Sequence, residues 1–95
     1  MTQHREDRAK RIQNDISGIL FREWDPLGLN ASPDFAHEYD AYVGGVYGLL
    51  VSDTSVEELA EHLRKVESNA MGLDRPASSS LLSVARRLIG LDVKL

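Results

Sequence analysis

No cysteine occurs in the 95 residues, which excludes disulfides and thiolate metal sites and leaves the fold to packing and hydrogen bonding. Long apolar runs are missing too. The uninterrupted apolar stretches are a few residues long, far short of the roughly 20 a membrane-spanning helix needs. The opening residues, MTQHREDRAKR, are charged and never lead into an apolar core, so no secretory leader is expected there and a cytoplasmic setting is. Basic charge is scarce where acidic charge is dense. Residues 23–74 hold two basic and eleven acidic groups, a net of −9, while residues 1–22 sum to +2 and residues 75–95 to +3. A duplex-binding surface needs a concentrated basic face, so nucleic acid is not an expected partner, and neither is a membrane.

What is present describes a folded domain. The apolar fraction of 42% and charged fraction of 27% suit a globular chain rather than a disordered one. A chain of this length forms one domain and buries roughly 60–70% of its unfolded surface. One helical domain over residues 1–95 is therefore expected, with residues 1–10 frayed because their first turns are polar all round.

Apolar spacing and capping residues predict four helices. The first covers about Arg5–Trp24, with Ile12, Ile16, Ile19, Leu20 and Trp24 recurring every three to four residues. It ends at Asp25, because the residue before a proline avoids the α region, and Asp25-Pro26-Leu27-Gly28 reads as a type I turn. The second starts with Ser32 as N-cap and Pro33 at the first helical position. It carries Phe35, Tyr39, Tyr42, Val43, Val46, Leu49 and Leu50 on one face. Gly44, Gly45 and Gly48 lie inside it, each costing roughly 1 kcal/mol against alanine. Either this helix bends, or Gly44 and Gly48 admit a second helix at close range.

The third helix opens on a capping box, Ser55 with Glu58. It buries Val56, Leu59, Ala60, Leu63, Val66 and Ala70, turns Glu57, Glu58, Glu61, Arg64 and Lys65 to water, and ends with Gly72 in the left-handed position. A polar loop over Asp74–Ala77 leads to Ser78–Ser80, any of which suits the cap of a fourth helix. That helix presents Leu81, Leu82, Ala85, Leu88 and Ile89 on one face and stops at Gly90, with Arg86 and Arg87 complementing its dipole. Nothing longer than the tail Leu91–Leu95 alternates as a half-buried strand must. The expected fold is therefore all-α, a compact bundle of about four helices, with Trp24, Pro26, Gly28, Ser32, Ser55, Glu58 and Gly72 in structural roles.

The segment Arg22-Glu23-Trp24-Asp25-Pro26-Leu27-Gly28, followed by Glu38-Tyr39-Asp40-Ala41-Tyr42, resembles a family of small bacterial helical proteins. Members share an R-E-W-D-P-hydrophobic-G segment, a downstream E-Y-D-x-Y, a capped helix and an M-G-L ending, here Met71-Gly72-Leu73. The similarity spans roughly residues 16–73. It implies a small bacterial helical domain and assigns no activity to any residue.

Several constellations bear on chemistry. Glu23, Asp25, Glu38, Tyr39, Asp40 and Tyr42 share one end of the bundle if the first two helices pack antiparallel. Carboxylates beside tyrosines suit a basic protein surface, since tyrosine supplies rigid contact area and carboxylates pair with Arg or Lys. The blander assignment makes Trp24 and Tyr39 core, Asp25 a turn residue, and the rest solvated helix surface. His37 with Asp40, and Glu58 with His62, have the three- and four-residue spacing of one helix face. Each pair supplies only two ligands, where a catalytic zinc takes three. Gly44-Gly45-Val46-Tyr47-Gly48 matches neither a phosphate loop nor a dinucleotide fingerprint. The serines mostly sit at helix starts, where capping explains them, and Glu6 and Asp7 interrupt the basic run Arg5, Arg8, Lys10 and Arg11.

The balance leans away from an enzyme, with no cofactor, catalytic residue or metal ligand assigned. The expectation is a non-enzymatic interaction module that contacts a protein partner, or a second copy of itself, through Glu38, Asp40 and Tyr42 with Asp25 and Glu23. An inhibitor- or immunity-like protein covering a cationic site is one form of it. The alternative is a small hydrolase or metal-dependent enzyme built on the Glu23, Asp25, Glu38 and Asp40 carboxylates.

Overall fold

The computed structural model describes residues 2–73 and 79–93. It is all-α, with no strand among the described residues. Helix α1 (Thr2–Ile19) runs on into a wider π-helical turn (Leu20–Trp24). Two 3₁₀ turns (Pro33–Phe35 and Asp40–Tyr42) lead into α2 (Val43–Val51). Helices α3 (Val56–Asn69) and α4 (Ser79–Ile89) complete the order. The helices pair in chain order, α1 with α2 and α3 with α4, and the pairs join where α4 packs on α1 and its π-helical turn.

The stripe read from α1 is the one it buries: Ile12, Ile16, Ile19, Leu20 and Trp24 all lie in the core. Tyr39, Val43, Val46, Leu59, Leu63, Leu81, Val84, Ala85 and Leu88 close around them. The π-helical turn forms where the Asp25 amide donates to the Leu20 carbonyl at 2.9 Å, five residues back. Asp25 then takes a left-handed conformation, φ 34° and ψ 60°. Pro26 explains the stop, since its ring bars the preceding residue from the right-handed region. A turn closes there, with the Gly28 amide donating to the Asp25 carbonyl at 3.2 Å and Gly28 at φ 69°.

The second predicted helix is not continuous. Ser32 caps as expected, its hydroxyl accepting from the Asp34 amide at 3.4 Å, but α-helical geometry begins only at Val43. Between them the backbone bonds are three residues apart: Phe35 to Ser32, Ala36 to Pro33, Glu38 to Phe35, Asp40 to His37 and Tyr42 to Tyr39. A three-residue period aligns side chains at i and i+3. It thereby places both Tyr39 and Tyr42 against Trp24, with ring centroids 5.4 and 6.0 Å away. Aromatic packing and the anchoring of the Tyr39 hydroxyl outweigh local helix preference. Phe35, expected on the buried face, is exposed as a result.

Helix α3 has the predicted capping box. Glu58 N–H donates to the Ser55 hydroxyl at 3.1 Å, and Ser55 N–H to the Glu58 carboxylate at 3.3 Å. At its far end Gly72 is left-handed at φ 68°, and the Leu73 amide folds back onto the Glu67 carbonyl at 2.8 Å. Of the expected buried stripe, Leu59, Ala60 and Leu63 are buried, Val56 and Val66 are half-buried and Ala70 is exposed, while Glu67 is buried. Nothing among the described residues approaches Gly44 or Gly48, whose absent Cβ atoms would meet open space. The close approach is at Gly45 instead. The loop over residues 74–77 and the capping expectation at Ser78 lie outside the described residues, as does the end of the tail, residues 94–95. Of that tail, Leu91 and Val93 pack half-buried against the core. No helix among the described residues is long and apolar enough to cross a membrane.

Candidate functional site

The candidate site is the end of the molecule where the π-helical turn of α1 meets the 3₁₀ connection. Its centre is a hydrogen-bonded knot rather than an open carboxylate cluster. Asp25 Oδ1 accepts from the Leu29 amide and from the Tyr39 hydroxyl, both at 2.7 Å, and Asp25 Oδ2 accepts from the Asn30 amide at 3.0 Å. The Tyr39 hydroxyl in turn accepts from the Leu27 amide at 3.0 Å. Burial works against the charge on Asp25. The hydrogen bonds from Tyr39, Leu29, Asn30 and Gly28 prevail, holding its carboxyl below the usual 3.8. Tyr39 responds in the opposite sense. Burial, then its bond to the Asp25 carboxylate, pushes its phenol up to about 12.

Behind this knot stands a buried polar pair that the sequence analysis did not single out. Glu67 is 3% exposed, and its Oε2 accepts from the Trp24 indole N–H at 2.9 Å. An indole N–H taken out of water needs an acceptor, and α3 supplies one from its core-facing side. A signal for it was available. Glu67 follows Leu59 and Leu63 at four-residue intervals, which puts its carboxylate on the buried face.

The other expected residues divide by what they touch. Glu23 receives the Arg87 guanidinium at 3.1 and 3.2 Å, which ties α1 to α4. Asp40 carries two partners on opposite oxygens: the Ser17 hydroxyl donates to Oδ1, and His37 Nδ1 lies 3.0 Å from Oδ2. Ser17, His37 and Asp40 therefore do not form a nucleophilic relay, because the carboxylate stands between the hydroxyl and the imidazole, whereas the histidine must lie between them to take the serine's proton. Tyr42 is half-buried and sets its ring edge-on to Trp24 at 90°. Glu38 is exposed. The Glu58 carboxylate is engaged in the capping box rather than with His62.

The geometry thus joins Asp25, Tyr39, Tyr42 and Trp24 in one packed group, with Glu38 and Asp40 on the solvent side of the same connection. Glu23 is held apart on the α4 side. Among the described residues no three His, Asp or Glu side chains converge as metal ligands. Not one lysine or arginine occurs from residue 23 to residue 63, and Arg87 is drawn in from α4 as a cation. No protein-family model, no curated protein and no solved structure matches the chain.

Proposed function

We propose that the chain is a non-enzymatic interaction module whose acidic and aromatic end, Glu38, Asp40 and Tyr42 flanked by Asp25 and Glu23, receives a cationic surface of a partner protein. The observation that carries this reading is the combination of exposure and rigidity on one connection. Glu38 and Asp40 are exposed, while Tyr42 beside them is fixed edge-on against buried Trp24. A partner docking there meets a pre-set aromatic surface and loses little conformational freedom in the process. The carboxylates steer its approach. Residues 23–63 contain no lysine or arginine, so this stretch itself supplies neither to Glu38 or Asp40. A finer form of the proposal has the protein act as a bacterial, cytoplasmic inhibitor- or immunity-like factor covering the cationic site of an enzyme.

The test is affinity capture of tagged protein from a bacterial lysate, comparing wild type with Glu38→Gln/Asp40→Asn and with the triple alanine variant that includes Tyr42. The amide variant retains the size of both side chains and an acceptor for Ser17, so folding is preserved. The reading expects a partner that wild type retains at about 50 mM salt, releases at about 500 mM, and that both variants fail to hold. Unchanged capture by all three proteins rejects it.

A further inference from the structure

Phe35 shows 42% of its surface to solvent on the connection that carries the candidate site. The three-residue period that turns Tyr39 inward also fixes what stands beside this ring. The Glu38 amide donates to the Phe35 carbonyl at 3.0 Å, so Glu38 follows Phe35 by one 3₁₀ turn, and side chains so spaced eclipse along one face. Both are exposed, whereas Ala36 and Tyr39, one position further on, are half-buried and buried. A phenyl ring and a carboxylate therefore share one solvent-facing stripe, roughly 6 Å apart along the axis.

We infer that Phe35 and Glu38 form a seat for an arginine of the partner protein, whose guanidinium lies flat on the ring and hydrogen-bonds the carboxylate. This rests on the proposed function and makes its cationic partner surface specific.

Three observations support the seat. The first is that both groups remain available. Trp24 takes Tyr39 and Tyr42 as its ring partners, and Phe35 has no ring partner among the described residues. Asp25 is engaged by its own turn, Glu23 by Arg87, and Asp40 by Ser17 and His37. Glu38 is the carboxylate of this set with no hydrogen bond or ion pair among the described residues. The second is charge. Asp34 is exposed next to Phe35 and adds to the negative potential, while Arg22, the arginine nearest in sequence, lies along α1, its Nη1 2.7 Å from where a Cβ on Gly18 would stand. The third is the chemistry of the pair. A guanidinium is planar, stacks on aromatic faces and offers paired N–H donors to a carboxylate, whereas an ammonium is a compact and strongly hydrated point charge. A ring beside a carboxylate therefore discriminates between two cations that a carboxylate alone treats nearly alike.

The test titrates hexa-arginine and hexa-lysine, equal in charge and length, into the protein at about 50 mM salt, followed by NMR. Wild type should bind both peptides, and the arginine δ-methylene signals should move upfield under the ring current of Phe35. The preference for hexa-arginine, read as a ratio of dissociation constants, should be about two- to fivefold larger in wild type than in Phe35→Leu, as a cation–π contact at an exposed site supplies. Leucine keeps an apolar side chain at an exposed position, so the fold and the affinity for hexa-lysine should not change. Glu38→Gln should weaken both peptides and abolish the upfield shift. If Phe35→Leu keeps the wild-type ratio, the arginine seat is overturned and the acidic end remains a receiver of cations. If neither peptide binds wild type, or if Glu38→Gln binds both as tightly as wild type does, the seat falls together with the proposed function.

Discussion

Trp24 is the residue on which most of the fold converges. It fills the core between α1, the 3₁₀ connection and α3, and it supplies the hydrogen-bond donor that meets buried Glu67. Two separable quantities follow. Trp24→Ala removes the ring and leaves a cavity, at an expected cost of about 3–5 kcal/mol, a large share of a small domain's stability. Trp24→Phe retains most of the apolar volume but withdraws the indole N–H from the Glu67 carboxylate. A hydrogen bond to a charged group contributes about 1.5–3 kcal/mol, so phenylalanine should recover only part of the alanine loss. Urea unfolding followed by circular dichroism measures both. If Trp24→Phe matches wild type, the buried hydrogen bond contributes nothing and Glu67 is tolerated for another reason.

Among the elements, α2 offers the sharpest contrast between glycines that are required and glycines that are not. Gly44 and Gly48 are helical and face open space, so alanine at either should stabilise the protein by about 1 kcal/mol. Destabilisation at Gly44 or Gly48 would reveal a close contact with a second molecule. The elements also show where sequence reading reaches and where it stops. Helix α3 was legible because its signals are local: Ser55, Glu58 and Gly72 each act within one turn of their own position. The stripe on α1 was legible because burial follows helical spacing. The segment from Ala36 to Tyr42 was not, since its periodicity suits a helix and the decision is made elsewhere, by Trp24 and by the Asp25 carboxylate reaching Tyr39 across fourteen residues. The acidic patch was legible as a set of residues but not as an arrangement. Asp25 is drawn into the backbone of its own turn, Glu23 is drawn to Arg87, and Glu38 and Asp40 remain on the solvent side of the connection. Glu67 was passed over although its spacing placed it on the buried face, since a glutamate in a helix is ordinarily surface.

At the scale of the whole molecule, the perturbed groups together fix the shape of stability against pH. Asp25 has a folded affinity for protons below its ordinary 3.8. The unfolded chain therefore binds a proton first as pH falls, and stability present above about pH 4 is lost as the pH drops through the folded value. His62 acts in the same direction at higher pH. Its folded form also resists protonation, so stability begins to decline below about 6.5. Tyr39 acts at the other limit. Its phenol holds its proton up to about 12 against an ordinary 10.0, so above pH 10 the unfolded chain releases a proton that the folded chain retains. The stability that difference provides is present below 10 and lost between 10 and 12. Urea midpoints should therefore form a plateau from about pH 7 to about pH 10, with a shallow step on its acid side and a steeper fall on its alkaline side. Tyr39→Phe tests the alkaline limb and reaches into the acid one. Removing the hydroxyl should flatten the fall between 10 and 12. It also takes away one of the hydrogen bonds that keep Asp25 charged, so the loss of stability below pH 4 should become shallower. Asp25→Asn should flatten the acid limb below about pH 4 and, by removing a carboxylate that raises Tyr39, weaken the alkaline one. It leaves Tyr39 buried, so part of the alkaline fall persists. An alkaline limb that is identical in wild type and Tyr39→Phe would mean that other groups govern it, and that the bond between Tyr39 and Asp25 is not coupled to folding.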